Sequence, residues 1–369
     1  MKKIALIFLI LLFHAPVNAQ ESFKTAKTNI QSVFGEIRQE IKNKTPGGVC
    51  YAGDFRAFSS CLKNNTRIVL TNNILLDEGQ FFQIKNLRNI DIDGGAQKFG
   101  FDETPARFAK ANKVSERLSA DGGVYFFVDN SNNISFRNIS FHSAPSQGPF
   151  CAKGEPKHLE DACRGQIWVR SSANVSVLGS LFDARKKFQL HVIGVDGFLF
   201  SGNTFTGAST YALAFGPMEM GNKNGRVTKN TFTKAGANGI IGSDLQNVSI
   251  DNNLFQSNHM LTQFYGYGGG QIDITTSTQR SGTFNVKILN NTIIAGESHQ
   301  SHGVEFSNLT STLNPNLPVN NIEVAYNYIE GNAHQGIKFE DFRPDSVGRN
   351  IYIHHNTLKD NNNPGVDNC

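Results

Sequence analysis

The sequence has a single Trp, four Met and, past its first residues, no apolar run that approaches the roughly 20 residues of a membrane-spanning helix. No membrane span is therefore expected in the mature chain. Dense Lys/Arg runs are also missing, which excludes the electrostatic footprint of a nucleic-acid binder. No CxxC and no paired Cys/His spacing occurs, so a structural zinc is not expected. The formal charge is only +4 over 369 residues. A surface this weakly basic is compatible with an acidic polymer and is equally an ordinary surface.

What is present begins with an export signal. Lys2 and Lys3 give a positive start, Ile4 to Phe13 is apolar, and Val17-Asn18-Ala19 ends in small-x-small style before Gln20. Cleavage after Ala19 removes two lysines and leaves about +2 on about 350 residues, a normal length for one repeat domain. The protein is expected in the periplasm or outside the cell, as a monomer. Disulfides persist in that setting. Of the five cysteines, Cys50–Cys61 and Cys151–Cys163 are the expected local pairs, and Cys369 is left over. Each closure is worth roughly 2–3 kcal/mol in a chain-entropy model.

One pattern recurs: apolar-x-apolar-x-x-Asn-x-apolar. It reads Phe198/Phe200/Asn203/Phe205, Val248/Ile250/Asn253/Phe255, Val286/Ile288/Asn291/Ile293, Ile322/Val324/Asn327/Ile329 and Ile351/Ile353/Asn356/Leu358. Looser copies lie at Val227/Asn230/Phe232 and at Val175/Val177/Phe182, where Ser180 takes the Asn place; Ile134/Phe136/Phe141 is the earliest. Alternation predicts a strand with one buried face. The Asn marks a bend, because Asn tolerates left-handed backbone and bonds its neighbours. Recurrence at intervals of tens of residues is the signature of a solenoid. Stacked coils put Phe on Phe, and Asn on Asn in a hydrogen-bonded ladder. The 29 Phe suit a dry tube, since Phe needs no polar partner.

A second strand precedes each bend unit: Ile167-Trp-Val169, Leu190-His-Val192, Leu213-Ala-Phe215, Ile272-Asp-Ile274, Val304-Glu-Phe306 and Ile337-Lys-Phe339. Its flanking residues point in and its middle residue points out. Residues 26–43 carry Ile30, Val33, Phe34, Ile37 and Ile41 at helical spacing, which predicts an amphipathic helix plugging the tube and hiding its edge. Asp54 to Lys63 predicts a second short helix before strands at Arg67–Leu70 and Asn89–Ile92. Residues 101–122 and 142–165 interrupt the repeat and are expected to be loops. The fold class is all-β: a single-stranded right-handed parallel β-helix with an N-terminal capping α-helix. Residues 1–19 are the signal, 20–64 the capping helices and 65–369 the β-helix.

Over roughly residues 65–360 the chain resembles the pectin-lyase-like superfamily of parallel β-helix proteins. The strand–Asn–strand coils, the short helix feeding the first strands and the long insertions on one side carry that resemblance. The stretch from Gly269-Gly-Gln-Ile-Asp-Ile274 to Gly303-Val-Glu-Phe306 is similar to the bacterial β-helix repeat proteins. The resemblance implies a scaffold shared by polysaccharide lyases, glycoside hydrolases, uronate epimerases and non-catalytic binding proteins. Sharper activity motifs are missing: no Asp-Asp pair followed by Gly-His-Gly, and no Asp-Pro-His-Asp. Only a faint echo of Trp-Ile-Asp-His remains in Ser249-Ile-Asp251-Asn252.

The outward residues of the first strands form one column: Trp168, His191, Ala214, Ile241, Asp273, Glu305 and Lys338. Two positions on runs Arg170, Ile193, Gly216, Ser243, Thr275, Ser307 and Glu340. Adjacent rungs lie about 4.8 Å apart, so Asp273, Glu305 and Lys338 are expected on consecutive rungs of one exposed face. For a lyase acting on an acidic polysaccharide, Asp273 and Glu305 would hold Ca²⁺, and Lys338 or a nearby His would take the proton. For a hydrolase, the two carboxylates on neighbouring rungs would suit retention, which wants roughly 5–5.5 Å. A plain acid–base ladder is the alternative that involves no chemistry. Tyr265 and Tyr267 precede Asp273 in a Gly-rich loop and would flank a sugar. His259, His299 and His334 follow the ladder Asn of their coils and are expected to stack at one corner, with His302 close. They would supply a base or a transition-metal site. Trp168, Arg170 and His191 would bind further sugar units.

Overall fold

The computed structural model describes residues 47–76, 81–94, 107–110, 124–142, 166–183, 188–208, 210–216, 221–258, 269–275, 282–295, 301–307, 319–339 and 349–361. The signal segment, residues 26–43, Cys151, Cys163, Cys369, Tyr265, Tyr267, His259 and His299 lie outside them.

Each coil contributes three strands. Phe188–Ile193, Asp196–Ser201 and Thr204–Thr206 make up one such coil. Stacking the coils builds three sheets among the described residues, of nine, eleven and ten strands, paired in parallel. Parallel pairing follows from the repeat: each strand meets the same strand of the next coil one full turn later. Among the described residues no sheet closes into a barrel, and stability in such a stack grows rung by rung.

The interior is a set of columns. Phe141, Phe182, Phe205, Phe232 and Phe255 stack with centroids 4.6–4.9 Å apart. That spacing matches the strand separation, so the register lets rings meet face to face. The stack continues as Ile293 and Ile329, both fully buried. Gly225 breaks its own column for a steric reason. A β-carbon there would sit 2.0 Å from Cζ of Phe198.

The Asn ladder runs as the repeat predicts. The Nδ2 atoms of Asn203, Asn230, Asn253, Asn291 and Asn327 each donate to Oδ1 of the next Asn, ending on Asn356. Each Oδ1 also accepts a backbone N–H from the rung before, as Asn253 does from Asn230. Ser180 takes the same place, donating its own N–H to Asn203. The reason first given for these Asn needs correction. The left-handed residue is the one before the ladder Asn: Gly202 (φ 67°), Lys229 (59°), Asn252 (55°), Asn290 (54°), Tyr326 (59°) and His355 (53°). The ladder Asn is selected for its amide, which satisfies a buried turn. A second, outer ladder does use left-handed Asn. Asn224, Asn247, Asn285, Asn321 and Asn350 all have φ between 53° and 62° and pass a hydrogen bond from rung to rung.

Near the N-terminus a helix spans Phe55–Cys61, capped by the Asp54 side chain accepting from Ala57 N. Its Phe58 packs on Phe82 and Phe126 at 4.3 and 5.6 Å, covering the core of the first coils. The expected Cys50–Cys61 disulfide is present and ties the helix to the strand Gly48–Ala52. That strand precedes the helix and pairs with Thr66–Leu70. The 101–122 loop expectation is also corrected, because Arg107–Lys110 is a strand between Ile74–Leu76 and Ser140–His142. Strands of three or four residues offer too few positions for alternation to register.

From Asn132–Arg137 onward the connections between second and third strands are two residues long, as at Gly202-Asn203, whereas residues 94–106 separate these strands in an earlier coil. Long connections instead flank the nine-stranded sheet, at 257–268, 276–282, 308–318 and 340–348. A solenoid tolerates insertions only where they leave the stack. Here most of the longer connections fall, in sequence, directly before or after strands of one sheet.

Candidate functional site

The outward column of the nine-stranded sheet has the register expected of it. Trp168 pairs with His191, His191 with Ala214, Ala214 with Ile241, Ile241 with Asp273, Asp273 with Glu305 and Glu305 with Lys338. Six rung steps span roughly 29 Å. The second column holds from Arg170 through Ile193 to Gly216, and from Ser243 through Thr275 to Ser307. Glu340 lies outside the described residues.

The face is not the open surface expected. Glu305 is 1% exposed, His191 5% and His302 4%. Outward side chains in a stack lie against those of the rungs above and below, so pointing away from the core does not mean facing water. Lys338 Nζ donates to Glu305 Oε1 at 3.0 Å. A buried carboxylate is strongly disfavoured without such a partner. Asp273 is half-buried on the rung below.

Gly270 shapes the room around Glu305. A β-carbon on Gly270 would lie 2.8 Å from Glu305 N and 2.9 Å from Glu305 Cβ. The Gly-rich run that ends in the strand Gly269–Thr275 thus has a steric purpose, which the sequence alone does not disclose.

Of the expected histidine corner, His259 and His299 lie outside the described residues, and His334 meets His302. His302 stacks on His334 with centroids 5.0 Å apart and planes 29° from parallel. His302 belongs to the strand that carries Glu305, and the backbone N–H of His334 donates to Ser301 O. His334 is half-buried, so one imidazole of the pair reaches the surface.

The other end of the column is aromatic. Phe127 meets Trp168 at 4.7 Å, Trp168 meets His191 at 6.4 Å, and Phe188 meets both His191 at 4.6 Å and Tyr211 at 5.6 Å. Arg170 lies over Phe127 and Trp168, at 5.4 and 5.9 Å from their centroids. Its Nε also bonds Asp129 at 3.0 Å, and Lys85 approaches the same carboxylate at 3.8 Å. Trp168 is therefore flanked by Phe127 and His191 and remains half-buried. Phe127 and Asp129 were missed because Phe126–Asp129 opens with two Phe, which blurs the alternation, and Phe188 because it precedes the alternating Leu190-His-Val192.

Comparison with known proteins bears on the scaffold. Residues 122–293 match the family described as right handed beta helix region. No curated protein sequence matches the chain. Among solved structures, the mannuronan C-5 epimerase AlgE6 A-module of Azotobacter vinelandii aligns at 11% identity, covering 85% of this chain and 89% of that one, with a TM-score of 0.42. The surface adhesin PfbA of Streptococcus pneumoniae aligns at 15% identity over 88% and 87%, TM-score 0.46. An alginate lyase of Paenibacillus sp. aligns at 11% identity over 84% and 99%, TM-score 0.35. The chain is a right-handed parallel β-helix, and the resemblance read from its repeats holds at the level of fold. No helix among the described residues is long and apolar enough to cross a membrane.

Proposed function

We propose that the protein is an exported polysaccharide lyase that lays an acidic chain along the nine-stranded sheet and cleaves it next to a uronate carboxylate. The observation that carries this reading is the set Asp273, Glu305, Lys338, His302 and His334, gathered on three adjacent rungs. The Lys338 ammonium, oriented by buried Glu305, neutralises the substrate carboxylate. That neutralisation makes the adjacent C–H proton easier to remove. A paired ammonium supplies charge rather than a free lone pair, so the proton acceptor is the His334–His302 pair. The electrons of the broken C–H bond form the C=C bond as the glycosidic C–O bond breaks, and the leaving oxygen takes a proton from the imidazolium or from water to become a hydroxyl of the released fragment. Asp273 binds sugar hydroxyls beside the centre. Arg170 and Trp168 bind units farther along the column, with His191 packed behind Trp168.

This reading gives Lys338 the role first assigned to Ca²⁺. Ca²⁺ takes six to eight oxygen ligands. Glu305 already faces an ammonium. The hydrolase alternative needs two carboxylates flanking a bond, and Glu305 is buried against Lys338 instead.

Incubation with alginate, pectate and glycosaminoglycans, followed by absorbance of an unsaturated uronate, tests the proposal. Absorbance should rise in the presence of chelator. His334→Ala should slow it by about 10²–10⁴-fold, the range of general-base catalysis. Reducing ends without absorbance would replace the lyase with a hydrolase. Binding without any cleavage would leave a binding protein.

A further inference from the structure

The C-terminal coil carries a second cluster, on another sheet from the candidate site. His354 ends the strand Arg349–His354, and His355 follows it in the turn. In a strand, consecutive side chains diverge. Here they converge, because His355 is left-handed at φ 53°. The two Nδ1 atoms lie 2.8 Å apart. His355 is exposed and His354 half-exposed.

Both rings are braced. His355 stacks on Tyr326 of the previous rung, with centroids 5.0 Å apart and planes 14° from parallel. Nε2 of His354 faces Glu323 Oε1 at 3.5 Å, and Glu323 is itself held by Lys287 at 2.9 Å. A carboxylate behind one ring nitrogen keeps the proton there and leaves the other nitrogen to act as a ligand.

We propose that His354 and His355 form a chelating site for Cu²⁺, through their two Nδ1 atoms. Metal–imidazole bonds are about 2.0 Å. Two such bonds at a right angle place the nitrogens about 2.8 Å apart, whereas a tetrahedral ion asks for about 3.3 Å. The observed separation fits the cis edge of a square-planar ion, and nitrogen-rich square-planar sites favour Cu²⁺ or Ni²⁺, with Cu²⁺ the tighter. The remaining positions go to water or to an oxygen ligand.

The test uses the full chain titrated with Cu²⁺ and read by calorimetry and by nitrogen hyperfine structure in electron paramagnetic resonance. One site should show two equivalent imidazole nitrogens. His354→Ala and His355→Asn should each weaken it at least about tenfold, and Glu323→Gln by about tenfold. The His355→Asn chain should fold, because Asn252 and Asn290 occupy the same left-handed position in earlier coils. His302→Ala with His334→Ala should leave the site within about twofold, since additivity holds for separate sites. No stoichiometric binding, binding unchanged in either His variant, or a signal from one nitrogen only would overturn the proposal.

Discussion

Glu305 shows how much one contact decides. Its carboxylate is 1% exposed and its charge is balanced by Lys338 at 3.0 Å. Removing the partner of a buried charge is costlier than removing both. Lys338→Met should lose about 3 kcal/mol, the low end of the range, because the Lys338 side chain keeps 25% exposure. The double change Glu305→Leu with Lys338→Met should recover most of that loss in urea unfolding, and equal losses would mean the pair is uncoupled. Asp251 is the second such residue. Burial would raise its carboxyl, but hydrogen bonds from Arg226, Thr228 and Ser249 outweigh burial and hold it below the ordinary value. A depressed folded value contributes stability above the unfolded value, near pH 4, and that stability is lost as pH falls through the folded value. Asp251→Asn should therefore flatten the fall of the urea midpoint below about pH 4. A slope identical to that of the parent would contradict this account.

At the scale of elements, the ladder turn ties each second strand to its third. Asn253 donates to Asn291 and to Val227 O, and accepts twice from Asn230. Asn253→Ala leaves buried groups unsatisfied on both neighbouring rungs and should cost about 3 kcal/mol. Asn356 ends the ladder and is only part-buried, so Asn356→Ala should cost about 1 kcal/mol. Equal costs in thermal or urea melts would show that position in the stack does not matter. The ladder was legible as spacing, since each Asn recurs at one offset from its strand. Its chemistry was legible only in part. The left-handed backbone belongs to the preceding residue, and that position accepts Gly, Lys, Asn, Tyr or His, so no single residue type announces it.

The whole molecule is a stack, and each rung depends on its neighbours. Its first described rungs are closed by the helix Phe55–Cys61 and the disulfide to Cys50, 11 residues away in sequence. Replacing both cysteines by Ser should cost about 2–3 kcal/mol by loop entropy. In a quasi-one-dimensional fold the loss concentrates at that end. Hydrogen exchange should accelerate first in Gly48–Ala52 and Thr66–Leu70, while Leu245–Asp251 stays protected. Uniform acceleration along the stack would argue for one cooperative unit. The sequence by itself determined the coil, the inward columns and the register of Trp168 through Lys338, because period-two alternation and a fixed Asn offset leave one way to stack. Only the tertiary structure decided that the outward column is half closed to water. Burial depends on what lies above, below and beside each side chain, and strand alternation carries no information about that. The same holds for Glu305 meeting Lys338, for His302 stacking on His334, and for His355 turning toward His354. Each arises from side chains of different coils, or from one backbone angle, meeting at distances the linear pattern does not encode.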